Sequence, residues 1–420
     1  MQPNKSLKPT AYACLALCRT ERSELMSHRR WRITAKPAPR YGSLVPPLAQ
    51  LSRKLKRYIQ IFLTALIALN SLQCTESRKA QSVDPWLSFN WPAADSLFQH
   101  DNYWIGGDGA YSIDLGDERV LWLFGDSWID STGNRIRQNA VMVSNTLAIQ
   151  QGYDPSIASI KFFWNQKPGK TESYFPDNDT VRYWPGHGIR VGDKLLLFLM
   201  GVYSSDKGLG FDVKDWKPLL IFNPDDDPDR WEIEYLEAKS NNLQIIVGSG
   251  GVLQWENFIY AFGAQELESK HDIYLVRWSI ENIIEGQLDL MQWWGGDQLG
   301  WINTDDSINS AVPVFNKGQT EFTVHYDEKE SVFVEIQTEG FGSASIVRRN
   351  ATSITGPWSD PEIIFSPAQN QFPNIMIYQG KAHPYLLGAI PVVTYCTNSF
   401  EFADHLREDW LYYPRFVRIK

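Results

Sequence analysis

Residues 108–126 read DGAYSIDLGDERVLWLFGD. A polar residue opens the stretch, about six strand-forming residues follow, Gly-Asp marks a turn, and a more apolar strand returns to a second Gly-Asp. The layout recurs in HGIRVGDKLLLFLMG from His187, SGGVLQWENFIYAFGA from Ser249, EFTVHYDEKESVFVEIQTEG from Glu321 and HPYLLGAIPVVTYCTN from His383. Third strands are expected in NAVMVSNTLAIQ, WKPLLIFNP, DIYLVRWSI, SASIVRRNAT and YYPRFVRI, and outer strands in IKFFWN, WEIEYLE, SAVPVF and EIIFSP. Four-strand units repeating every roughly 60 to 80 residues predict an all-β fold, a five-bladed β-propeller. The fifth unit lacks a fourth strand before the chain stops, and PWLSFNW (85–91) is expected to supply it, because an open ring leaves an exposed edge.

Around this body the chain divides into a basic extension (1–57), an apolar segment (58–74) and a polar tether (75–84), with the propeller at 85–420. Residues 1–57 hold 13 Lys and Arg against 2 acids, although the whole chain carries −9, so the body is strongly acidic. That balance argues against nucleic acid as a partner. RKLKRY followed by IQIFLTALIALNSLQC has the order of an export signal, and its apolar run is shorter than a membrane span. Cys74 at its end is the candidate lipidation site, which would place the protein in the periplasm, outer membrane or cell surface. The N-terminal segment is then the one route to a membrane, and the body is expected to be monomeric. Only Cys396 lies in the body, so no disulfide framework and no Cys-based metal site is expected there. The acidic run NPDDDPDRW (223–231) lacks EF-hand spacing and reads as an exposed turn; no cofactor is expected, and no motif supports a structural calcium.

In a propeller the first strands of all blades line one channel. On this alignment Asp108, His187, Ser249, Glu321 and His383 meet at one mouth, joined by Asp126, Glu339 and Asn398 from the ends of second strands. Carboxylates facing across a pocket are the equipment of general acid–base chemistry, and glycoside hydrolysis needs two. Asp108 is the expected base or nucleophile and Glu321 the expected acid, with Glu339 as its substitute and Asp126 as a tuning or orienting group. His187, Ser249, His383 and Asn398 are candidate substrate contacts. Trp184 is a candidate stacking surface, in a chain whose aromatic content is 13%. Arg415 is a candidate for a substrate carboxylate or sulfate.

GGDGAYS followed by LWLFGDSW, with YWPGHG, IYAFG, SITGPWSDPEIIF, KAHPYL and YYPRFVRI, resembles an uncharacterised family of bacterial five-bladed propellers. That family is classed as a domain of unknown function and is related in fold to arabinanases, invertases and levansucrases. The resemblance spans nearly all of 100–420. It implies a carbohydrate-active protein, with Asp108 at the place of the acid that opens the first inner strand in propeller glycosidases. Later blades offer His187 and Ser249 where those enzymes carry acids, leaving Glu321 or Glu339 for the second carboxylate. Three functions therefore stay open: a glycosidase-like enzyme, a glycan-binding propeller and an envelope interaction protein.

Overall fold

A computed structural model describes residues 88–206, 210–237, 241–267, 271–303, 308–387 and 391–419. The basic extension, the apolar segment, Cys74 and the tether lie outside them. Five sheets make the five blades. Blade one runs from its inner strand Trp104–Gly116 through Arg119–Ile129 and Thr146–Gln151 to Ser159–Phe163. Blade two is Arg182–Val191, Lys194–Ser204, Phe211–Ile221 and Ile233–Tyr235. Blade three starts at Ile245–Trp255, blade four at Thr323–Asp327 and blade five at Ile375–Ala382. Ser88–Asn90 pairs antiparallel with Arg415–Ile419, so the fourth strand of the last blade comes from the opposite end of the body.

Both faces of a blade are covered by neighbouring blades, so its strands read as continuous apolar runs. LLLFLM in blade two shows this by parity. Leu195, Leu197 and Leu199 pack with Tyr111, Ile113 and Leu123 of blade one. Leu196, Phe198 and Met200 pack with Ile246, Val252 and Trp278 of blade three. The interface of blades five and one joins Trp104, Trp122 and Phe124 to Val392 and Phe416, with Ala94 and Phe98 beneath Phe416. Asp95 fixes that junction: its Oδ1 accepts from Phe416 N at 2.7 Å, and its Oδ2 lies 3.7 Å from Arg415.

Two expected strands lie elsewhere. SAVPVF is not the outer strand of blade three; that place is taken by Gln292–Trp294 and Trp301–Asn303, and Phe315 makes one bridge to Ile273. In blade five the hairpin is Ile375–Ala382 with Val392–Ser399, so His383 follows the inner strand instead of opening it. Apolar residues on both sides of His383 look equally strand-forming in sequence, and the pairing decides between them.

Parity also buries a charge. In the second strand of blade four, Val334 and Ile336 face blade five. Phe333 faces blade three and takes Glu335 with it. Glu335 is fully buried, neither carboxylate oxygen has a hydrogen bond among the described residues, and Arg349 stands 3.5 Å away. Burial pushes this carboxyl up to about 8, against the opposing pull of Arg349. A carboxyl raised in the folded state adds stability below its unfolded pKa and loses it as pH climbs through the folded value. Glu335→Gln is therefore expected to shrink the fall in Tm between about pH 6 and about pH 9. Melting curves of both proteins across that range check it; parallel pH dependences would assign the fall to other groups.

Candidate active site

Tyr111 of blade one marks the channel axis. Its hydroxyl donates to the Ser249 carbonyl of blade three at 2.5 Å and lies 3.2 Å from Phe322 O at the entry to blade four. His187 of blade two stacks on its ring at 5.0 Å, and Lys381 of blade five sits 4.3 Å above it. All five blades thus meet around one tyrosine, and the middle of the channel is filled.

The polar residues expected at one mouth are spread along this axis. Asp108 and Asp126 occupy the mouth. Glu321 lies one layer in: Oε1 pairs with Lys381 at 3.1 Å and Oε2 accepts from Gln379 at 2.5 Å. Gln379 Oε1 in turn accepts from Gly109 N, and Lys381 donates to Gly109 O. His187 and Ser249 sit at mid-depth. His187 Nδ1 accepts from Val252 N at 2.9 Å, so Nε2 carries the proton toward Ser112 O at 3.3 Å. Burial brings its pKa down to about 4, which keeps it neutral. The Ser249 hydroxyl is buried and accepts from Ala264 N.

Two expected contacts stand apart from the mouth. His383 bonds Ser112 Oγ, four residues further along the inner strand than Asp108, and Thr394 Oγ1 at 2.8 Å. It packs 4.9 Å from Trp122 and is a fully buried core histidine, because it follows the inner strand instead of opening it. Arg415 is engaged by Asp95 and by the Trp410 carbonyl on the third strand of blade five. Glu339 is exposed on the rim at the end of its strand, and Glu321 is held by Lys381 and Gln379, so neither is a buried carboxylate free to face Asp108. The acidic run at 225–229 is neutralised from outside, by Arg190 on Asp225 and Lys161 on Asp227.

The mouth takes its two acids from blade one, the hydroxyl donors to Asp108 from blade five and Trp184 from blade two. Asp108 is 1% exposed; its Oδ2 accepts from the hydroxyls of Tyr378 at 2.9 Å and Tyr412 at 3.0 Å. Two hydroxyl donors on one oxygen suit a carboxylate. A Cβ at Gly125 would stand 2.5 Å from Asp108 Oδ1, so the second Gly-Asp needs its glycine to make room for the first acid. Asp126 is 2% exposed; Oδ1 accepts from Trp184 Nε1 at 2.9 Å, and Oδ2 has no hydrogen-bond partner among the described residues. Burial pushes Asp126 well above the usual carboxylate range, and the charge of Asp108 adds to the rise, against the pull of Arg182. Asn398 backs the site: Nδ2 lies 3.4 Å from Tyr378 Oη, while Oδ1 accepts from Ser399 N and His405 Nε2.

Tyr378, Tyr412, Gln379, Lys381 and His405 were not foreseen from sequence. Tyr378 and Tyr412 sit in the apolar phrases MIYQG and LYYPRF, where a tyrosine is indistinguishable from core.

A family model described as "Domain of unknown function (DUF5005)" matches residues 93–420. The chain belongs to the DUF5005 family. No curated protein matches this DUF5005 chain. Among solved structures, a protein from Bacteroides ovatus provisionally described as a hydrolase aligns over 80% of this chain and 90% of its own, at 15% identity and TM-score 0.63. An α-L-arabinofuranosidase from Lactobacillus brevis aligns over 78% and 93%, at 11% identity and TM-score 0.45. An α-L-arabinanase from Cellvibrio cellulosa aligns over 75% and 91%, at 9% identity and TM-score 0.37. The Bacteroides likeness shows a shared fold, and at such identity the fold alone.

Proposed function

We propose that this DUF5005 propeller hydrolyses glycosidic bonds at the mouth of its channel, with Asp126 as proton donor and Asp108 as the facing carboxylate. One observation carries the reading. Two buried acids of one hairpin have environments that separate their protonation: Asp108 receives two hydroxyl donors, and Asp126 Oδ2 is desolvated beside that charge with nothing bonded to it. Such a split supplies an acid and a base at the same pH. Asp126 would protonate the leaving oxygen, while Asp108 assists water or attacks the anomeric carbon. Glu321 leaves the acid role because Lys381 and Gln379 hold both its oxygens. The basic cluster, apolar run and Cys74 support export and lipid anchoring, which would bring the site to extracellular glycans.

A second reading is a glycan-binding propeller, favoured by the filled channel axis and by the near-complete burial of both acids. Reducing-end release from arabinan, arabinoxylan, β-1,3-galactan and laminarin separates the two. On the hydrolytic reading wild type releases sugar from one of them, and Asp108→Asn loses release while still binding it. Binding without release by wild type would establish the second reading.

A further inference from the structure

Phe341 and Phe400 are 46% and 39% exposed, and their rings lie 5.5 Å apart. They come from different blades. Phe341 ends the second strand of blade four, and Phe400 directly follows that of blade five. Both stand at the end of the channel where Asp108 lies. Asn398, two residues before Phe400, lies against Tyr378, which donates to Asp108. Gly342, beside Phe341, accepts from Ile377 N, one residue from Tyr378. Phe400 thus stands about 7 Å along its strand from Asn398. A Cβ at Gly342 would stand 3.5 Å from Phe400 Cε2, so the hairpin tip lies beside that ring. Glu339, exposed two residues before Phe341, adds a hydroxyl acceptor to the aromatic surface.

We propose that Phe341 and Phe400 form a subsite on the rim of blades four and five that stacks on the apolar face of a sugar ring, next to the ring at Asp108 and Asp126. The inference rests on the glycan reading above. Area favours a sugar over a protein partner. With about 200 Å² for a whole Phe, the two expose roughly 170 Å², against about 800 Å² per side in a stable protein interface. One face of a pyranose or furanose matches the smaller figure. The site would therefore take an oligosaccharide or polysaccharide rather than a single sugar.

Native gel electrophoresis of the full chain through the same four polysaccharides tests this. Wild type should be retarded by at least one, and Phe341→Ala/Phe400→Ala should bind it about tenfold more weakly with an unchanged Tm. Phe400→Trp keeps a stacking face and should stay close to wild type. Lys161→Ala, on the outer strand of blade one, should be retarded like wild type, which ties any loss to the phenylalanine rim. Dependence on the two phenylalanines without any sugar release would still support the subsite while removing the hydrolytic reading. Equal retardation of the double variant, or no retardation of wild type by any of the four, would overturn the proposal.

Discussion

Replacing Asp126 with asparagine is expected to lower turnover on a natural glycan by about a hundredfold to ten-thousandfold, the usual contribution of a general acid. Asparagine has the shape of a protonated aspartic acid. Its Oδ1 can still accept from Trp184 Nε1, now at 2.9 Å, so the fold should be retained. The lost property is the transferable proton on Oδ2, the oxygen without a hydrogen-bond partner among the described residues. The deficit should depend on the leaving group. An aryl glycoside whose phenol departs without protonation should lose far less, because the step that needs Asp126 is easy for it. Turnover of both substrates by wild type and Asp126→Asn, with Tm as control, measures this. Equal losses on the two substrates would make Asp126 a structural or orienting group.

The second large effect concerns stability. Lys381 is wholly buried, and its ammonium has Glu321 Oε1 at 3.1 Å, the Gly109 carbonyl at 2.7 Å and the Tyr111 ring at 4.3 Å. Glu321→Gln leaves that charge without its counter-ion, which costs about 3–5 kcal/mol when a buried pair is broken from one side. Urea unfolding should show the loss in the midpoint. Glu321→Gln/Lys381→Met removes both charges and should recover much of it, since the pair itself contributes little against an apolar replacement. A single variant as stable as wild type would mean that Lys381 is neutral or hydrated, and the ionic plug at the channel axis would be wrong. The same pair explains why Glu321, a reasonable acid in sequence, is unsuited to donating a proton.

Blade architecture was legible because double-sided burial writes long apolar runs, and tight turns write Gly-Asp between them. Leu195 to Met200 illustrate the first and Gly116-Asp117 the second. Asp108 and Asp126 were visible because each is an acid beside glycine within a largely apolar strand. Depth along the channel was not legible. Asp108, His187 and Glu321 all lie near inner-strand beginnings, yet the strands start at different heights: Arg182–Val191 begins five residues before His187, and Thr323–Asp327 begins after Glu321. His383 was misplaced because a strand end and a strand start carry the same residues when both neighbours are apolar. Lys381 is 60 residues from Glu321, and Tyr412 is 304 from Asp108. No local pattern encodes pairs that only ring closure brings together.

The most direct test of the central claim is a ¹³C NMR titration of the full chain labelled at aspartate carboxyls. At neutral pH the account predicts one aspartate still in the neutral acid form, absent from the spectrum of Asp126→Asn. If every aspartate in wild type is ionised at that pH, the mouth holds no acid to donate, and the hydrolytic reading is contradicted.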